Sequence, residues 1–266
     1  LLEAIKKDFA LKRYDKQTEL DFYTKRMNRP RTREEMPVTS RENLEATMEH
    51  ELPDLFGWSC TVGIDYAMLR DWAAVNVHFW QDETRYDFGR YWVCTQSPDI
   101  NRIKPNWRLW EQCVEVDDVQ ISPFTIAAYI QEIGQKYNIK MVLIDNFRHA
   151  LLAKALDDIG FSADRNNLYL TRPSDVMKIQ PVIDSCFNNH NFVWGDNPPL
   201  RWATNNTKLI PSGRKEGTDT GNYYYGKIEP KSRKTDPFMA LVSSMIGEHV
   251  LYTAPTTYAD LPVIGF

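Results

Sequence analysis

Three consecutive segments with strand periodicity, followed by strands and helices in alternation, confine this chain to an α/β fold. Residues 59–67, 73–80 and 86–94 are the three, joined by short polar turns such as Gln81-Asp82-Glu83 into antiparallel hairpins. Beyond them, residues 140–145 (KMVLID) form an unbroken apolar run ending in an acid, as expected of a strand buried on both faces. A helix precedes it over 122–137, opened by Ser122 at the cap and Pro123 behind it. Helices are also expected over 148–159, 174–188, 198–204 and 235–249, and strands over 168–170, 191–194 and 222–229. A further strand is expected within 107–116, and residues 205–221 read as loop. Three meandering strands beside parallel strands covered by helices match the ribonuclease H-like order, a mixed β-sheet flanked by helices.

Ahead of this region the pattern differs. Residues 1 to about 28 have charged, amphipathic helical spacing. Residues 30–55 are polar, contain Pro30, Pro37 and Pro53, and carry one short helix near 41–50. The expected organisation is therefore a helical linker segment over 1–55, an α/β domain over 56–252 and an irregular tail over 253–266. The chain starts at Leu1 without Met and reads as part of something longer.

Composition removes several functional classes. The 266 residues are 42% hydrophobic and 26% charged, with a net charge of −4, so no global basic field advertises nucleic acid. Cys60, Cys94, Cys113 and Cys186 lack CxxC spacing, which argues for reduced, packed thiols rather than zinc. The five histidines have no ligand spacing. Neither a P-loop nor a GxSxG nucleophile motif is present, and no apolar run is long enough for a membrane span.

Three acids stand out. Asp65 lies in TVGIDYA, with Val62, Ile64 and Tyr66 expected on one face and Gly63 and Asp65 on the other. Asp is depleted in strands, because a buried carboxylate needs a cation. Asp145 ends the KMVLID run. If the two strands are parallel neighbours, both carboxylates meet at the edge where α/β sheets bind ligands. Their repulsion is relieved by a divalent cation, and hard oxygen donors favour Mg²⁺ or Mn²⁺. Asp236 precedes the last helix and is the third candidate. Each has a plainer alternative: an ion pair with Arg70 or a Lys for Asp65, a strand-end turn for Asp145, and helix capping ahead of Pro237 for Asp236. Lys208, Arg214, Lys215, Lys227, Lys231, Arg233 and Lys234 cluster late, with Tyr223 to Tyr225 among them. They are candidates to track a phosphate backbone or, diluted by Glu216, Asp219 and Glu229, to form a solvated loop.

GIDYA, VLIDNF, NPPLRWATNN and KTDPFMALVSSM, in that order, resemble the nuclease half of a tailed-bacteriophage large terminase subunit over residues 58–252. LDFYTKRMN (20–28) is similar to the segment leaving that family's ATPase domain, whose own motifs are absent here. The resemblance implies an endonuclease that cuts double-stranded viral DNA during genome packaging, by two-metal in-line hydrolysis. It places Asp65, Asp145 and Asp236 on the catalytic, metal-holding acids, with Lys227 and Lys231 near the family's basic strand. Asn205 and Asn206 match its Asn-containing stretch. It further implies partners (the viral portal, the small terminase subunit, further copies in the packaging motor) and a location in the host cytoplasm at the procapsid. A Holliday-junction resolvase or transposase would share fold and acids, and a DNA- or portal-docking module could share the fold without the chemistry.

Overall fold

A computed structural model describes residues 36–67, 69–146, 150–212 and 222–251. The chain divides into two compact units, 1–36 and 37–266. The helical pattern expected over 1–28 and the tail over 253–266 fall outside the described residues.

In the second unit, helix α1 (Arg41–Ala46) is capped by the Ser40 hydroxyl, which accepts from the Asn43 N–H. The three meandering strands follow: β1 (Ser59–Tyr66), β2 (Trp72–Gln81) and β3 (Thr84–Cys94). The β2–β3 hairpin closes Gln81 against Thr84, with Asp82 at φ +53° supplying the left-handed turn residue. The strand expected within 107–116 is confined to β4 (Cys113–Val116), since Trp107–Leu109 ahead of it is a 3₁₀ turn. Then come α2 (Pro123–Lys136), β5 (Asn138–Asp145), α3 (Ala150–Asp158), β6 (Leu168–Thr171), α4 (Pro173–Asn188) and β7 (Phe192–Val193). Last are α5 (Pro198–Asn205), β8 (Thr207–Pro211), β9 (Tyr223–Lys227) and α6 (Asp236–Ile246).

The main sheet has seven strands in the order β4-β3-β2-β1-β5-β6, with β7 paired to the start of β3. β2 runs antiparallel to both β1 and β3, while β5 joins β1 in parallel and β6 joins β5 in parallel. This is the mixed, ribonuclease H-like arrangement expected. One face packs Val62, Ile64, Val75, Val142 and Ile144 against Ile126, Ile130, Leu152 and Leu156 of α2 and α3. The other carries α6, which is apolar nearly all round because it lies between the sheet and α4 and α5.

One expectation fails. Residues 205–221 are not all loop, because Thr207–Pro211 is a strand that pairs with β9 from Thr207 opposite Lys227 to Pro211 opposite Tyr223. Its short run, Leu209-Ile210 between Lys208 and Pro211, is too brief and too polar at its ends to signal a strand. The partner β9 supplies the missing hydrogen bonds.

Candidate active site

Parallel pairing of β1 and β5 runs up to Ile64 opposite Ile144. Asp65 and Asp145 are each the next residue along. The faces follow from alternation. The Thr61 hydroxyl donates to the Ser244 carbonyl of α6 at 2.8 Å, so Thr61, Gly63 and Asp65 share the α6 side of the sheet. Gly63 lies against the backbone of that helix: a Cβ there would stand 2.0 Å from the Ala240 oxygen and 2.3 Å from the Ser244 nitrogen. Leu143 reaches Gly247 just beyond α6, which puts Asp145 on the same side. Val62, Ile64 and Tyr66 face the opposite core. Asp65 is half-buried and Asp145 is exposed at the strand end.

Asp236 is delivered by α6. It is the helix's first residue, and Thr235 holds the cap position without a side-chain capping bond. Asp236 is only 4% exposed, and among the described residues its Oδ2 has no hydrogen-bond partner. The Lys227 ammonium of β9 stands 4.0 Å from that oxygen. A fourth acid, Asp71 at the head of β2, holds the Lys234 ammonium at 2.6 Å.

These groups share one electrostatic field. Burial, reinforced by Asp236, Asp145 and Asp71 and opposed by Lys227, holds the Asp65 carboxyl well above the usual carboxylate range. Burial, reinforced by Asp71 and opposed by Lys227 and Lys234, also raises Asp236. Asp236, helped by Asp71 and Asp65, raises Lys227 against the effect of its burial. The oxygen-only donor set suits a hard divalent cation, which would satisfy the orphaned Asp236 oxygen and relieve the cost of ionising Asp65. On these two observations the residues fit such an ion. Among the described residues, however, no three His, Cys, Asp or Glu side chains stand close enough together to hold a metal ion between them.

The Arg70 alternative for Asp65 is not realised. Arg70 is exposed, at φ +51°, and among the described residues makes no ion pair with Asp65. Of the seven basic candidates, Lys231 and Arg233 are exposed and Lys208 is half-buried. Lys227 and Lys234 are turned toward the acids, Lys234 only 4% exposed. Arg214 and Lys215 lie outside the described residues. Sequence reasoning missed Asp71, which has neither a strand pattern nor a motif to mark it, and it left Asn206 without a role. Asn206 is 2% exposed; its side-chain amide donates to the Lys234 carbonyl at 2.9 Å.

Several solved structures resemble this fold, among them two phage terminases. The HK97 bacteriophage large terminase superposes with a TM-score of 0.62 at 17% identity, over 79% of this chain and 43% of that protein. The large terminase nuclease from thermophilic phage G20c with bound magnesium superposes with a TM-score of 0.50 at 11% identity, over 79% of this chain and 96% of that one. No family model and no curated protein sequence matches. The likeness expected from four short motifs thus extends to three dimensions, and the chain has the fold of the phage large-terminase nuclease domain. It spans less than half the length of the HK97 protein.

Proposed function

We propose that this chain is a divalent-metal-dependent endonuclease that cuts double-stranded viral DNA during genome packaging. What supports the reading is that three acids lie toward one sheet edge and act on one another's charge. Asp65 and Asp145 extend adjacent parallel strands on the same face, and Asp236 begins the helix packed on that face with a buried oxygen lacking a hydrogen bond among the described residues. Similarity to a terminase nuclease with bound magnesium agrees with this chemistry.

Asp65, Asp145 and Asp236 would hold two Mg²⁺ or Mn²⁺ ions. When bound, such ions supply charge neutralisation and Lewis-acid assistance to in-line hydrolysis of a phosphodiester. The protein contributes placement. β1 and β5 hold two carboxylates on rigid strands, and α6 presses the third over them. Lys227 neutralises part of the acid field and stands where a phosphate oxygen can be met as its charge develops. Lys231 and Arg233, exposed ahead of α6, would grip the backbone, together with Lys208 of β8. Arg214 and Lys215, outside the described residues, stay candidates for the same role, whereas Lys234 serves Asp71. Backbone contacts carry no base code, so cutting is largely indifferent to sequence. Portal, small subunit and further copies of the chain in a packaging motor complete the proposed setting, in the host cytoplasm. Among the described residues no helix is long and apolar enough to cross a membrane.

The test is incubation with supercoiled plasmid and Mn²⁺, with and without EDTA. Nicking and linearisation are expected only with free metal, and Asp65→Asn, Asp145→Asn and Asp236→Asn should each abolish them while leaving the circular dichroism spectrum unchanged. One observation favours a second reading, a DNA- or portal-docking module without chemistry: the three acids do not close around a single point among the described residues. Absence of metal-dependent cutting, with DNA binding retained, selects that reading.

A further inference from the structure

Asn206 sits where three elements meet. Its N–H closes the end of α5 on the Trp202 and Ala203 carbonyls, each at 3.1 Å. Its carbonyl accepts the Ile228 N–H at 3.0 Å, one step past the last β8–β9 pair, in which Lys227 stands opposite Thr207. Its side-chain amide donates to the Lys234 carbonyl at 2.9 Å, a buried bond made two residues ahead of Asp236. One residue thereby fixes both the strand end that carries Lys227 and the peptide that leads into Asp236. Between these two attachment points residues 229–233 form a largely exposed turn, held within itself by the Arg233 N–H on the Glu229 carbonyl at 3.2 Å and the Ser232 hydroxyl on the Glu229 carboxylate, so that among the described residues the bonds at Asn206 and Asp71 are what fix it to the rest of the fold. The second anchor is on the same residue, since Lys234 is gripped by its carbonyl at Asn206 and by its ammonium at Asp71.

We propose that Asn206 is a positioning residue, which sets the Lys227 ammonium against the Asp236 carboxylate by holding the end of β9 on its backbone carbonyl and the entrance of α6 on its buried side-chain amide. The proposal rests on the nuclease reading for its consequence in catalysis, but not for its structural content. Removing the amide leaves the Lys234 carbonyl buried without its donor. The 228–235 segment then relaxes, and Asp236 loses its fixed approach to the sheet edge. A displacement of the order of 1 Å at a reacting group costs roughly 10- to 100-fold in rate.

The experiment pairs hydrogen exchange with steady-state cleavage. Asn206→Ala should speed exchange in peptides covering 228–236 while those from β1, β2 and β5 keep their protection. At saturating Mn²⁺ its kcat on plasmid should fall roughly 10- to 100-fold, with KM for DNA changed by no more than about twofold, since the residue touches no substrate. Should Asn206→Ala not fold, Asn206→Leu serves in its place, because it keeps the size and removes the donor without adding a charge or an acidic proton. Unchanged exchange in 228–236 overturns the proposal, and so does faster exchange with wild-type kcat. If the unmodified protein cuts nothing with Mn²⁺, the nuclease reading falls separately. Exchange alone then decides: lost protection in 228–236 keeps the positioning role, and retained protection removes it.

Discussion

Gly63→Ala is the sharpest test of how the acids are brought together. The added Cβ would lie 2.0 Å from the Ala240 carbonyl oxygen and 2.3 Å from the Ser244 nitrogen, where ordinary contact begins at 3.4 Å. Both obstacles are helix backbone, so no rotamer change relieves them. The helix has to withdraw from β1 by roughly 1 Å or more, taking Asp236 with it. Overpacking of this kind costs about 3 kcal/mol, toward the upper end of the usual range because backbone must move. For a chain of this size that corresponds to a fall in Tm of about 6–12 °C. The retreat of Asp236 from Asp65 should lower metal-dependent nicking by roughly 100-fold even well below the new Tm. Thermal unfolding by circular dichroism and a plasmid nicking course at 20 °C measure the two effects. A variant with wild-type Tm and wild-type nicking would show that α6 is not pressed on β1, and the account of the site would fail with it.

Asp65→Asn should raise Tm at neutral pH while abolishing cutting. The raised folded-state pKa means that ionised Asp65 costs stability, a cost that grows as pH rises from the unfolded carboxylate range toward that folded value. A lower Tm for the variant at pH 7 contradicts this. Mn²⁺ should raise the Tm of the wild-type chain and leave that of Asp65→Asn nearly unmoved, as differential scanning calorimetry would record. Burial alone would lower the pKa of His78, but the charges and hydrogen bonds of Asp87 and Glu248 carry it up to about 9. Its contribution to stability is therefore complete below its unfolded pKa near 6.5 and is lost as pH rises through about 9. A Tm that declines between pH 7 and 10, and declines less in His78→Gln, is the expected outcome. Lys231→Ala and Arg233→Ala should each weaken DNA binding and reduce the salt slope by about one, whereas Lys234→Ala should lower Tm, because it strips Asp71 of its buried partner. Equal salt slopes for all three would refute that division.

Legibility in the sequence followed the range of the interaction concerned. β1 and β5 could be read because alternation and an unbroken apolar run are local signals, and their parallel adjacency follows from the order of elements. The faces of β1 were equally readable: Val62 and Ile64 went to one core, and Gly63 and Asp65 to the other side. β8 was missed because a five-residue strand gains its identity from a partner that begins twelve residues after it ends, and no window along the sequence contains that pairing. In the sequence Lys234 reads as a phosphate-facing or solvated cation, because charge in a basic run is normally exposed. Its burial against Asp71 depends on a contact 163 residues away in sequence. Asp71 gives no signal in the sequence and Asn206 only a motif match without a role, for the same reason, since each acts through bonds to the segment before α6. The readable residues bear the charge of the proposed chemistry, and the unreadable ones set its distances. A sequence can therefore nominate Asp65, Asp145 and Asp236, but whether they work as one centre turns on Gly63, Asp71 and Asn206, whose substitution leaves all three acids in place.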